Sequence, residues 1–88
     1  MRAYKEFTKS YLAPQFKTWR KKWGFTQEAM AEKLWMASRS YADLERGKSG
    51  LSATTLLFFL GMLPEEEALQ IVKGFGKAAL RLESHEVA

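Results

Sequence analysis

The sequence predicts an all-α domain of five helices, and three observations carry that expectation. Apolar residues recur at spacings of three and four, as on one face of a helix, and no segment alternates with the period of two that a strand needs,. Thr26, Ser38 and Ser52, all cap-forming residues, precede three of these apolar patterns,. Gly24 and Gly47 follow two of them, where a helix ends,.

The first helix is expected to open at Pro14, where a missing N–H costs nothing, to carry Phe16, Trp19, Arg20 and Trp23 on one face, and to stop at Gly24,. Residues 1–14 precede it as an N-terminal arm or short helix, and Tyr4, Phe7 and Tyr11 favour a docked helix. Thr26 caps the second helix, and Glu28 in its first turn suits the positive end of the helix dipole,. Met30, Ala31 and Leu34 form its apolar stripe. The link "WMA" leads to Ser38, the cap of a third helix in which Tyr41 and Leu44 face inward and Gly47 ends the pattern,.

Ser52 caps a fourth helix that runs to Leu63, with Leu56, Phe59, Leu60 and Leu63 as its inward stripe. Leu57 and Phe58 are apolar too, and a helix that is apolar most of the way round must be covered on more than one side,. Pro64 opens the fifth helix, Glu65 to Glu67 occupy its first turn, and Leu69, Val72 and Phe75 make its apolar face. Gly74 and Gly76 are expected to weaken or end it, each costing about 1 kcal/mol relative to Ala,. This divides the chain into residues 1–14, a core over 15–63, and a C-terminal helix and tail over 64–88, the last a candidate dimerisation element.

Composition narrows the function. The 88 residues suffice for one domain with one modest core, and 47% apolar with 27% charged residues is the balance of a folded, soluble chain,. No Cys is present, so disulfides and thiolate metal sites are excluded, which suits a reducing cytoplasm,. The single His, His85, stands in the last residues, where it supports neither zinc binding nor acid–base catalysis,. The start "MRAYKEFTK" lacks a signal-peptide core, and the longest apolar run, Leu51 to Leu63, is shorter than the ~20 residues of a bilayer span,. No cofactor and no membrane association are expected.

Charge is unevenly distributed. Residues 15–50 hold eight Lys and Arg against four Asp and Glu, whereas from 51 onward five Glu outweigh three Lys and Arg. The positive field therefore lies in the first half, where a polyanion would dock.

Two helices of about eight to ten residues joined by a link of three or four have the dimensions of a helix-turn-helix unit. "GFTQEAMAEKL", then "SRSYADLERGKS", then "SATTLLFFLGML" resemble, in that order, the phage repressor/Cro (XRE-type) DNA-binding domain over roughly Gln15 to Leu63. The resemblance implies a compact five-helix lambda-repressor-like fold and a transcriptional regulator, most simply a repressor. It would bind double-stranded DNA as a homodimer in the cytoplasm of a bacterium or as a phage product.

In that family the third helix enters the major groove with its N-terminal residues toward base edges. The side opposite Tyr41 and Leu44 carries Ser38, Arg39, Ser40, Ala42, Asp43 and Arg46. Arg39 is the leading base reader, because its guanidinium matches O6 and N7 of guanine; its other reading is a phosphate contact. Asp43, four residues on, can orient Arg39 or accept from cytosine N4. Ser38 and Ser40 can reach bases or phosphates, with Ser38 equally a helix cap, and Ala42 can meet a thymine methyl. The resemblance assigns phosphate binding to Gln27, and Arg46, Lys48 and Ser49 would hold the DNA backbone on the other side. It further implies an ion pair between Arg20 and Glu45. Leu57, Phe58, Leu69, Val72 and Phe75 are left for a dimer contact or for packing of helix 5.

Two positions depart from the family pattern. Trp35 stands where a small turn residue such as Gly is usual, which is expected to alter the turn. Tyr41 stands where a β-branched apolar residue is usual, so its hydroxyl needs a buried partner or reaches a phosphate.

Other chemistry fares worse. "GFGKAA", Gly74 to Ala79, fits a dinucleotide-binding spacing but follows a helical segment rather than a strand, and its Gly-Lys is followed by Ala rather than Ser or Thr,. No Ser has a nearby His, so an enzyme is not expected. The alternative to a DNA reader is a protein-interaction module on the same fold, such as an antitoxin or a polymerase-docking factor using Trp35, Met36 or the helix 4–5 surface.

Overall fold

The computed structural model describes residues 4–87, with side chains through Glu83. Its five helices run in the order α1 (Tyr4–Trp23), α2 (Gln27–Lys33), α3 (Ser38–Glu45), α4 (Ala53–Met62) and α5 (Glu65–Val87), with no strand among the described residues. His85 lies outside the described side chains.

The helices form where the sequence offers a buried stripe and a cap. Leu12, Phe16 and Trp19 recur at one-turn spacing on α1 and are buried, while Arg20, Lys21 and Lys22 complement the negative end of its dipole,. The Thr26 hydroxyl accepts from the Ala29 N–H at 3.0 Å and opens α2,. Ser52 does the same for α4, accepting from Thr55 N–H at 3.1 Å.

α1, α2 and α3 end in one recurring device. Gly24 N–H donates to Lys21 O at 3.1 Å and Phe25 N–H to Arg20 O at 3.0 Å; Gly47 N–H donates to Leu44 O at 3.1 Å and Lys48 N–H to Asp43 O at 2.9 Å. Trp35 and Met36 repeat the pattern at the end of α2, donating to Glu32 O at 3.1 Å and Ala31 O at 3.0 Å,. The pivot residues take left-handed φ values of 78° at Gly24, 71° at Gly47 and 59° at Trp35. Trp35 thus preserves the turn that glycine would make, against a steric cost of roughly 1–2 kcal/mol.

The core is aromatic. Tyr41, Phe16, Phe59, Met30 and Leu34 are its largest enclosed side chains, and the Phe16 ring lies 4.4 Å from Phe59 and 6.1 Å from Tyr41. α1, α3 and α4 therefore converge on Phe16. Truncating Phe59 to Ala would cost about 3–5 kcal/mol through lost transfer energy and the cavity left behind.

Four sequence expectations need correction. Pro14 lies inside α1, not at its start, so residues 4–14 run into that helix without a break. α5 continues through Gly74 and Gly76. The cap of α3 is Ala37, with no side-chain hydrogen bond, and Ser38 is the first helical residue. On α5 the buried residue among the described side chains is Ile71; Leu69 and Val72 are exposed and Phe75 is half-buried.

One contact explains the first two departures. The Tyr11 hydroxyl donates to Ile71 O at 2.7 Å, and the Phe75 ring lies 5.4 Å from both Phe7 and Tyr11. A Cβ at Gly74 would stand 2.6 Å from the Tyr11 oxygen, so glycine is what leaves room for that hydroxyl to reach Ile71 O,. Docking against α5 sustains the N-terminal half of α1 across its proline, a tertiary gain overriding local propensity. On α4, Phe59 and Leu63 are buried, Leu56 and Leu60 are half-buried, and Leu57 and Phe58 face solvent.

Candidate nucleic-acid interface

α3 owes its orientation to Tyr41 and Leu44, which are buried one turn apart. Their burial turns the opposite side outward. Ser38, Arg39 and Ser40 are exposed at the N-terminal end, Arg46 is exposed at the C-terminal end, and Ala42 and Asp43 are half-buried between them. Arg39 enters no hydrogen bond or ion pair among the described residues, so its fork is unengaged.

Asp43 does not hold Arg39. It pairs with Arg46, Nη2 to Oδ1 at 2.5 Å, three residues along the helix. Because side chains lean toward the helix N-terminus, the long Arg46 side chain reaches back over the preceding turn to Asp43.

Glu45 is the point at which three helices are joined. Its carboxylate accepts from Arg20 Nε at 2.5 Å and Nη2 at 3.2 Å, from the Tyr41 hydroxyl at 2.5 Å, and from Gln27 Nε2 at 3.0 Å. Arg20 spends its remaining terminal nitrogen on Phe25 O at 2.9 Å, fastening the α1–α2 turn. The Glu45 side chain is only 4% exposed and that of Arg20 13%. Burial alone would raise the Glu45 carboxyl, but hydrogen bonds from Arg20, Tyr41 and Gln27 outweigh it and hold the group below its ordinary value of 4.5,. The hydrogen bond to Glu45 raises the Arg20 guanidinium in turn.

Tyr41 is fully buried, and its hydroxyl is consumed by Glu45, with Phe16 O a second acceptor at 3.4 Å. A phosphate contact from Tyr41 is therefore ruled out. Burial first, and the Glu45 carboxylate second, push its phenol above the ordinary 10.0, so it remains a donor,.

Gln27, at the first turn of α2, is exposed, with its side-chain amide on Glu45. Lys48 is exposed and Ser49 half-buried beyond Gly47. The segment after α3 rests on α1: a Cβ at Gly47 would lie 3.8 Å from Ala13 Cβ, and one at Gly50 would lie 3.8 Å from Lys9 Cε.

The outward side chains of α3, the start of α2 and the segment 46–49 thus frame a polar surface backed by one buried ion-pair network. The Gln27 link to Glu45 and the approach of Lys9 to Gly50 are not apparent from residue spacing. Both join positions far apart in sequence through polar groups with no periodic signature. The Asp43–Arg46 pairing was open to inspection as a three-residue spacing.

Among the described residues no group of His, Asp or Glu could hold a metal ion, and no helix is long and apolar enough to cross a membrane. A family model described as helix-turn-helix matches residues 16–69, well over half of the 88 residues. No curated protein and no solved structure matches the chain.

Proposed function

We propose, since the chain belongs to the helix-turn-helix family of phage repressor/Cro type, that it is a sequence-specific regulator of transcription that represses by occupying a duplex site. It acts without a cofactor, as a homodimer in the cytoplasm of a bacterium or of a phage-infected cell, and is not an enzyme. α3 enters the major groove by its N-terminal end. The observation that carries this reading is Arg39, exposed and unengaged on the first turn of a helix whose opposite side is anchored by Tyr41, Leu44 and Glu45.

In this reading Arg39 donates to O6 and N7 of guanine, discrimination worth about 1–3 kcal/mol. Ser38 and Ser40 flank it, and Ala42 offers a methyl to thymine. Asp43, already paired with Arg46, acts by holding that guanidinium toward the DNA backbone. Gln27, Lys48 and Ser49 complete the phosphate contacts from both sides of the groove.

Selection from a random duplex library, repeated at two salt concentrations, tests the proposal. Enrichment of an inverted repeat with half-sites about one helical turn apart supports it. Retention without enrichment that collapses as salt rises would leave only phosphate-driven binding. No retention at all would make the fold a protein-interaction module.

A further inference from the structure

We infer that a hollow between α1, α4 and α5 is a binding site for a small, uncharged aromatic molecule that carries one hydrogen-bond donor, an N–H or an O–H. Leu12 on α1, Leu56 and Leu60 on α4, and Ile71, Val72 and Phe75 on α5 make its apolar wall, and its volume is about 270 Å³. Thr8 and Tyr11 complete the wall, and no charged residue lies on it among those described. An apolar cavity of about 150 Å³ is enough to take up benzene, so this one has room for a fused pair of rings.

The hollow is held open by its own walls. The Tyr11 hydroxyl donates to Ile71 O at 2.7 Å and sets the spacing of α1 and α5. Phe75 leans on Phe7 and Tyr11 with ring centroids 5.4 Å from each, tilted against the first and edge-on to the second, which fixes its orientation,. The neighbouring core is closed over Phe16, Tyr41 and Phe59, and interiors packed in this way leave few voids larger than a water molecule,. A space of this size at the edge of such a core is preformed, so an occupant need not drive the helices apart.

The chemistry of the wall selects the occupant. With no charged partner there, an ion would enter at the full cost of its desolvation, which excludes anions and cations,. Thr8 donates its hydroxyl proton to Tyr4 O at 2.5 Å and Tyr11 donates its own to Ile71 O, so both oxygens are left as acceptors,. A ligand complements them by bringing a donor, and a flat ring complements the aromatic faces of Tyr11 and Phe75. A helix of a partner protein, ~10 Å across, is far too large for the space.

Titration of the full chain with indole, followed by calorimetry and by methyl resonances, tests this without DNA. Indole should bind at one site with a sub-millimolar Kd, shift the methyls of Leu56, Leu60 and Ile71 but not those of Leu34 and Leu44, and raise the melting temperature. Benzoate, an anion of similar size, should not bind, and N-methylindole, which lacks the N–H, should bind several-fold more weakly. Val72 and Leu69 are both 54% exposed, but only Val72 lies on the wall. Val72→Trp, which sets a large ring at the mouth, should therefore weaken indole about tenfold or more while the protein stays folded, and Leu69→Trp should leave its affinity unchanged. Absence of saturable indole binding overturns the inference, as does binding that survives in a folded Val72→Trp, falls equally in Leu69→Trp, or is matched by benzoate. Equal affinity for N-methylindole overturns the assignment of a donor-bearing ligand.

Discussion

Arg20 and Glu45 meet through two contacts, Nε to Oε2 at 2.5 Å and Nη2 to Oε1 at 3.2 Å, and this pair fixes α1 against the last turn of α3. Both side chains are largely withdrawn from water. Removing one partner leaves the other charge buried, so Glu45→Ala is expected to lose about 3–5 kcal/mol of stability. Denaturant unfolding measures this directly, and a wild-type midpoint in Glu45→Ala would show that the pair carries no structural role.

The same carboxylate gives stability a pH dependence of definite sign. Glu45 is held below its ordinary value of 4.5 in the folded chain. Its contribution is therefore complete above that value and is lost as pH falls through the lowered folded pKa. Melting temperatures followed from neutrality to about pH 3 should decline for the wild type in that acid range. Glu45→Gln should start lower at neutrality and decline less; parallel curves for the two proteins would contradict the assignment.

Tyr41→Phe isolates one arm of the network. It removes a buried hydroxyl from a charged acceptor while Arg20 and Gln27 remain in place. A loss of about 1.5–3 kcal/mol is expected for a hydrogen bond to a charged group. DNA affinity at temperatures where the variant is folded should be unchanged, since the ring does not reach the surface.

Two glycines of α5 should respond differently to alanine. At Gly76 nothing lies within 4 Å of a new Cβ, so Gly76→Ala should stabilise by up to about 1 kcal/mol through helix propensity,. At Gly74 the new Cβ would displace the Tyr11 hydroxyl from Ile71 O, offsetting that gain. Thermal unfolding of the two variants side by side checks that Gly76→Ala gains more than Gly74→Ala.

The fold was legible wherever a local rule and the tertiary structure agree. Thr26 and Ser52 cap their helices and Gly24 and Gly47 close theirs, because each acts within a few residues of its own position. The buried faces of α2 and α3 followed from apolar spacing alone. Legibility failed where a distant contact decides. Pro14 and Gly74 read as helix boundaries, yet both lie inside helices held by the α1–α5 contact, which joins residues sixty positions apart at Tyr11 and Ile71. Ser38 read as a cap, but the extended backbone that precedes the helix falls at Ala37,. Around the candidate site, Asp43 was expected to orient Arg39 four residues before it, yet it pairs with Arg46 three residues after it, a spacing that a helix brings together just as well,.

Base reading by the exposed side of α3 through Arg39 can be measured in one comparison of two proteins. Affinities of wild type and Arg39→Ala for a selected duplex and for variants of each guanine in it would be measured at fixed salt, with helicity followed by circular dichroism. Arg39→Ala should keep its fold, lose about 1–3 kcal/mol on the selected site, and cease to distinguish one guanine from its replacements. Equal losses on every duplex would make Arg39 a phosphate contact. Undiminished affinity and base preference in a folded Arg39→Ala would mean that Arg39 does not read the duplex.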